Sequence, residues 1–164
     1  MDSYLTTAEV LEIVAPLGVT PKQFRGWCER GYVVPDEGGG SQGDHRKFGL
    51  MTAVGVAVAA RILATERGCL PAHVGTVVAA FRKRSADWLR AEFAAGRTHV
   101  AAVVTTVDGG PTLILDSPRP YETIDVKAAF DEVMRAVRRI ERRLRDAAAA
   151  RVRGLGGEKP TAET

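Results

Sequence analysis

Cysteine is scarce in this chain. Cys28 and Cys69 stand 41 positions apart, too far for a paired framework or for the close spacing that holds a structural zinc, and such usage fits a reducing compartment. Histidine is almost as rare: His45, His73 and His99 have no acid or cysteine at ligand spacing, so neither a metal site nor a cofactor is expected. A nucleophile–base arrangement, a phosphate-cradling glycine loop and a dinucleotide fingerprint are also missing, which argues against an enzyme and leaves no catalytic residue to name.

Long apolar runs are wanting as well. The stretch LMTAVGVAVAA at 50–60 is cut by Arg61, well short of the about 20 apolar residues a membrane span needs, and reads as a buried helix. The opening MDSYLTTAEV carries an acid at position 2 and no apolar signal core, so a cytoplasmic protein without membrane contact is expected.

Charge is present but unevenly spread, with a net of +3. Residues 1–60 hold five basic residues, Lys22, Arg25, Arg30, Arg46 and Lys47, against seven acids, for −2. Residues 61–153 hold seventeen Lys/Arg against eleven acids, for +6, clustered at Arg82-Lys83-Arg84 and along 135–153. An anionic partner of the first segment must therefore meet a local patch, since the segment as a whole offers no attractive field.

Local signals divide the chain into elements. Thr6-Thr7-Ala8-Glu9 has capping-box spacing and predicts a helix from about Thr7 to Ala15, with Val10, Leu11, Val14 and Leu17 on one face. Thr20-Pro21 starts a second helix and Gly31 closes it, after a connection of only Leu17-Gly18-Val19. So short a link makes the two cross as a helix-turn-helix. Tyr32 to Pro35 reads as a short strand, and DEGGGSQGDHRKFG as a glycine-rich hairpin tip. Helices follow over Leu50 to about Arg67 and from Pro71 to Gly96. A β-hairpin over 99–107 and 111–115 turns at Asp108-Gly109-Gly110. Its strands are apolar on both faces and should be covered by the last helix or by a partner subunit.

The last helix, from about Ile124 to Arg151, has the clearest period. Val126, Val133, Ile140 and Ala147 fall at one heptad position, and Phe130, Val137 and Leu144 at the other. Such a stripe can pack on its own chain or form a coiled coil. A homodimer through Val126, Phe130, Val133, Val137, Ile140 and Leu144 is the expectation taken here. The fold class expected is mainly α with small β elements: a winged helix-turn-helix over 1–70, a dimerisation region of helix, β-hairpin and long helix over 71–153, and a disordered tail over 154–164.

The order helix, turn, capped helix, strand, glycine-rich tip, helix pair resembles the DNA-binding domain of the MerR family of transcription regulators over residues 4 to about 85. The segment VTPKQFRGWCERGY at 19–32 is similar to that family's recognition helix in its valine, capping hydroxyl, basic residues, aromatic and closing glycine, and Arg46-Lys47-Phe48 to the end of its wing. Gly26 and Cys28 depart from it, standing where the family has an aromatic and an acid.

The resemblance implies that the second helix enters a major groove of double-stranded DNA. Lys22, Gln23 and Arg25 would then face base edges or phosphates, and Thr20 with the first-turn amides would suit a phosphate. Gly26 would permit close approach, Trp27 would be partly buried over the helix pair with its indole N–H at the DNA face, and His45, Arg46 and Lys47 would grip the backbone from the wing. Arg25 has a second reading, an ion pair with Glu29 one turn on; Phe24 reads as core.

The expected function is a transcriptional regulator binding a pseudo-palindromic site as a homodimer. Two alternatives stand beside it: an architectural or recombination DNA-binding protein, and a protein-interaction module of the chaperone-modulator type, which the −2 charge of residues 1–60 favours.

Overall fold

The computed structural model describes residues 4–39, 45–65, 72–96, 100–105, 111–115 and 124–155, with the side chains of 65, 100–105, 111–115, 124 and 152–155 excepted. Its first helix, α1 (Thr7–Val14), begins at the capping box read from the sequence. The Thr6 amide donates to Glu9 Oε2 at 2.7 Å, and the Glu9 amide donates to Thr6 Oγ1 at 3.4 Å. A single 3₁₀ turn, Ala15–Leu17, and Gly18 at φ 85° redirect the chain. Helix α2 (Pro21–Glu29) then starts at a second capping box, where Thr20 and Gln23 satisfy each other's amides.

The expected strand at Tyr32–Pro35 does not form. After Gly31 (φ 72°), the amides of Tyr32 and Val33 both donate to the Trp27 carbonyl, at 2.8 and 3.2 Å. Those donors are spent on finishing the helix, and Pro35 has none to give. The small sheet is instead β1 (Leu5–Thr6) paired antiparallel with β2 (Lys47–Phe48), with an isolated Glu37–Lys47 bridge beside it. The glycine-rich tip at 40–44 lies outside the described residues.

Helix α3 (Leu50–Thr65) is the axis of the molecule: residues 52–60 are buried without interruption. An Ala/Val helix, hydrophobic all round, can be covered on every side. Helix α4 (Ala72–Arg82) lies closest, and Gly55 allows it, because a Cβ there would come within 3.0 Å of Val78 Cα. The single helix expected over 71–96 is broken in two. Ser85 accepts from the Trp88 amide at 3.1 Å and, with Asp87 in the first turn, starts α5 (Ala86–Ala94) afresh, which Gly96 closes at φ 73°.

Strand β3 (Val100–Thr105) pairs antiparallel with β4 (Pro111–Leu115) in the expected hairpin, and β5 (Ile124–Asp125) adds to its other edge, giving the order β4-β3-β5. Its turn at 108–110 lies outside the described residues. The sheet packs beside α3 and α4.

Helix α6 (Val126–Leu155) opens with Asp125 accepting from the Ala128 amide at 3.0 Å. It outruns the expected end at Arg151, taking in two residues of the expected tail. Its apolar stripe belongs to the chain's own core. Val126, Phe130, Val133, Val137 and Ile140 are buried against α3 and α1, and Phe93 meets Phe130 at 5.5 Å between ring centroids. Five of the six residues assigned to a dimer seam are thus already covered; the sixth, Leu144, is 66 % exposed. One continuous cluster of buried residues runs from Leu5 to Ile140. Ion pairs fasten the helix to its supports, Arg61 to Glu132 at 2.6 Å and Arg143 to Glu12 at 3.1 Å. No described helix is long and apolar enough to cross a membrane.

Candidate nucleic-acid interface

Helix α2 is divided lengthwise. Phe24 and Trp27 point inward, edge to face at 6.3 Å, and Phe24 meets Phe48 of β2 at 5.6 Å. This apolar side anchors the helix, and Pro21, Lys22, Gln23, Arg25, Glu29 and Arg30 remain exposed on the other. The spacing 24, 27 is what a helix needs to bury one stripe, so the exposure of 22 and 25 follows from the same periodicity.

Trp27 is therefore corrected. At 3 % exposure its ring is core rather than partly open, packed edge to face with Phe24. Thr20 and Gln23 are exposed, but each is occupied with the other: Gln23 Oε1 accepts from the Thr20 amide at 2.8 Å and from its hydroxyl at 2.9 Å. Only the Nε2 end of Gln23 is left to face outward. The first-turn amides are fewer than expected as well. Pro21 has none, that of Gln23 is bonded to Thr20 Oγ1 at 3.2 Å, and that of Phe24 to the Thr20 carbonyl at 3.0 Å, which leaves Lys22.

Lys22 and Arg25 stand clear. No ion pair joins Arg25 to Glu29, so the pairing that competed with its role as a contact is not made. Arg30, which sequence reasoning passed over, contributes a third cation. Its guanidinium lies back across Gly26, where an added Cβ would come 3.0 Å from Nη2, and 5.3 Å from the centre of the Tyr32 ring. The signal was present as Gly26 four residues before Arg30. Gly26 thus serves the chain's own arginine.

Arg46 and Lys47 diverge. Arg46 turns toward α2, where its guanidinium acts on the Cys28 thiol, and its stem lies beside Gly39, where an added Cβ would come 2.9 Å from Arg46 Cγ. Burial pushes the Cys28 thiol up from its ordinary value, and the Arg46 charge only partly opposes this. Lys47 faces the other way, paired with Glu37 at 3.0 Å and 5.9 Å from the Tyr4 ring centre. Hydrogen bonds from Lys47 and the Tyr4 hydroxyl hold the Glu37 carboxyl below its ordinary range. His45 is exposed beside them. So the structure brings Arg46 to α2, and spends Lys47 on a local acid.

Asp36 is the second residue missed. It accepts from the Gly49 amide at 2.8 Å and the Thr52 hydroxyl at 2.7 Å, capping α3 from outside, and pairs with Arg82 at 3.1 Å. A groove of about 700 Å³ opens beside it, with Leu50, Met51, Met134 and Val137 on its apolar side. The arginines there are engaged: Arg82 by Asp36, Arg90 by Asp87 at 2.7 Å, and Arg84 over the Trp88 ring at 5.3 Å. Among the described residues no cluster of His, Cys, Asp or Glu is arranged to hold a metal.

No family model, curated protein or solved structure matches this chain.

Proposed function

We propose that the chain is a DNA-binding transcriptional regulator that lays the exposed side of α2 in a major groove. The observation that carries this reading is the pairing of Lys22 and Arg25, exposed and without a partner carboxylate, with Phe24 and Trp27, which lock the opposite side of the same short helix into the core. A reading head needs both: donors for base edges and phosphates, and a rigid mount that fixes their register. Arg46 approaches the same helix at Cys28 and adds a cation there.

A homodimer on a pseudo-palindromic site belongs to the same reading. The seam lies farther along α6 than the heptads suggested, from Leu144 onward, where residues 141–151 are exposed all round.

The test is binding to random-sequence duplex at low salt, followed as salt rises. Affinity should fall steeply with salt, and Lys22→Ala with Arg25→Ala should weaken it about tenfold or more. No measurable binding at low salt would sink the reading. A second reading draws on Lys47 being neutralised by Glu37 and on the −2 charge of residues 1–60: the same surface would then meet a protein, as in interaction modules of the chaperone-modulator type. Saturable protein capture that survives high salt, without duplex affinity, would favour it.

A further inference from the structure

Beyond α2, the densest charge on the molecule runs along the outer side of α6. Arg135, Arg138, Arg139, Arg142 and Arg145 are all exposed, and their spacing puts them on one face, opposite the buried stripe from Val126 to Ile140. Among the described residues none of the first four makes a hydrogen bond or ion pair, and Arg145 Nε donates only to the Glu141 carbonyl, at 3.4 Å. Of the acids on this helix, Asp131 pairs with Lys127 at 2.5 Å and Glu132 with Arg61 at 2.6 Å; Glu141 is the one acid within the span of the row and has an interaction of its own, and Asp146 follows at the outer end.

We infer that this arginine row is a second contact surface for double-stranded DNA, which holds the phosphate backbone without reading bases. Like charges three and four residues apart destabilise a free helix, and a polyanion laid along the row relieves that repulsion. All five cations are arginine, whose planar fork matches phosphate two bonds at a time. From 135 to 145 the row extends about 15 Å at the α-helical rise, over which a duplex strand presents roughly four phosphates. An anionic membrane fits less well, since the apolar face it would take up is sealed inside the core through Ile140.

The inference shares with the proposed function only that the ligand is duplex DNA; it does not depend on α2. The test uses the full chain and random-sequence duplexes, with affinity measured by fluorescence anisotropy across a salt series. Replacing Arg138, Arg139 and Arg142 by glutamine should weaken binding about tenfold or more at low salt. It should also reduce the slope of log affinity against log salt by about 2 to 3, equally for every duplex sequence. The melting temperature should hold or rise, and lysine at the same three positions should keep the slope. Unchanged affinity and slope in the glutamine variant would overturn the inference, as would a wild-type chain with no duplex affinity. If Lys22→Ala with Arg25→Ala leaves binding intact and the glutamine variant weakens it, the α2 reading fails and this one stands; the converse result overturns this one alone.

Discussion

Arg82 Nη2 of α4 stands 3.1 Å from Asp36 Oδ1, and the other oxygen of that carboxylate takes the Gly49 amide and the Thr52 hydroxyl at the start of α3. One acid at the foot of the wing therefore ties together the two helices that follow it. Its partners are unequal. Thr52 is 1 % exposed and has no water to replace the bond, whereas the Arg82 pair is about a third open to solvent.

Asp36→Ala should accordingly cost about 2 kcal/mol, as a lost helix cap and a stranded buried hydroxyl. Arg82→Ala should cost under about 1 kcal/mol. Urea unfolding of the two variants measures the difference; equal losses would mean that the ion pair, not the cap, carries the stability.

Trp27→Ala should destabilise the chain by about 3 kcal/mol or more, as large buried aromatics do. The Lys22→Ala and Arg25→Ala variants should melt within about 0.5 kcal/mol of the parent. Thermal unfolding separates them. If Trp27→Ala melts like the parent while weakening DNA binding, its assignment to the core is wrong.

Gly26→Ala should stabilise α2 by about 0.5 to 1 kcal/mol, because alanine favours the helix and the nearest neighbour, the tip of Arg30, can swing aside. The displaced guanidinium should then become more mobile in side-chain NMR relaxation. A destabilised variant would show that the Arg30 placement is worth more than the helix propensity.

Glu37 supplies a pH dependence. Its carboxyl titrates below the ordinary value in the folded chain, so its contribution is present above the unfolded-state pKa and is lost as pH falls through the lowered folded value. The wing base should loosen only under acid conditions, below about pH 4. A carboxyl-detected NMR titration of Glu37 checks this, and a midpoint at or above the ordinary glutamate value contradicts it. Glu37→Gln should remove the dependence.

A chain ending after Arg143 should keep its fold, because the buried part of α6 stops at Ile140. By the proposed dimer seam it should sediment as a monomer; a persisting dimer would place the seam elsewhere. Removal of all of α6 should instead unfold the protein, since Val126, Phe130, Val133 and Val137 complete the core around α3 and α1.

Much of the local structure could be read directly. The Thr6–Glu9 capping box, the Thr20 cap, Gly31, the short link between α1 and α2 and the β3–β4 pairing announce themselves within a few residues, since each depends on a side chain reaching its own backbone or on a φ that glycine tolerates. Less legible were choices between competing local signals. Val33 and Val34 have strand propensity, but Gly31 claimed the neighbouring amides for the helix end; Ser85 interrupted an apolar period that otherwise ran on.

The candidate interface divides along the same line. Period and capping alone made Lys22 and Arg25 exposed on a short, well-started helix, and made α6 a helix with one apolar face and one arginine face. Tertiary structure decided what each face meets. It turned Trp27 inward, drew Arg46 to Cys28 and Lys47 to Glu37, laid Arg30 over Gly26, and covered the α6 stripe with the chain's own α3 and α1. A periodic pattern states that a surface must leave water and is silent on its cover, because burial against the same chain and against another copy gain the same hydrophobic free energy. Only the positions of elements distant in sequence distinguish the two, and those positions placed Val133 inside the chain and left Leu144 outside it.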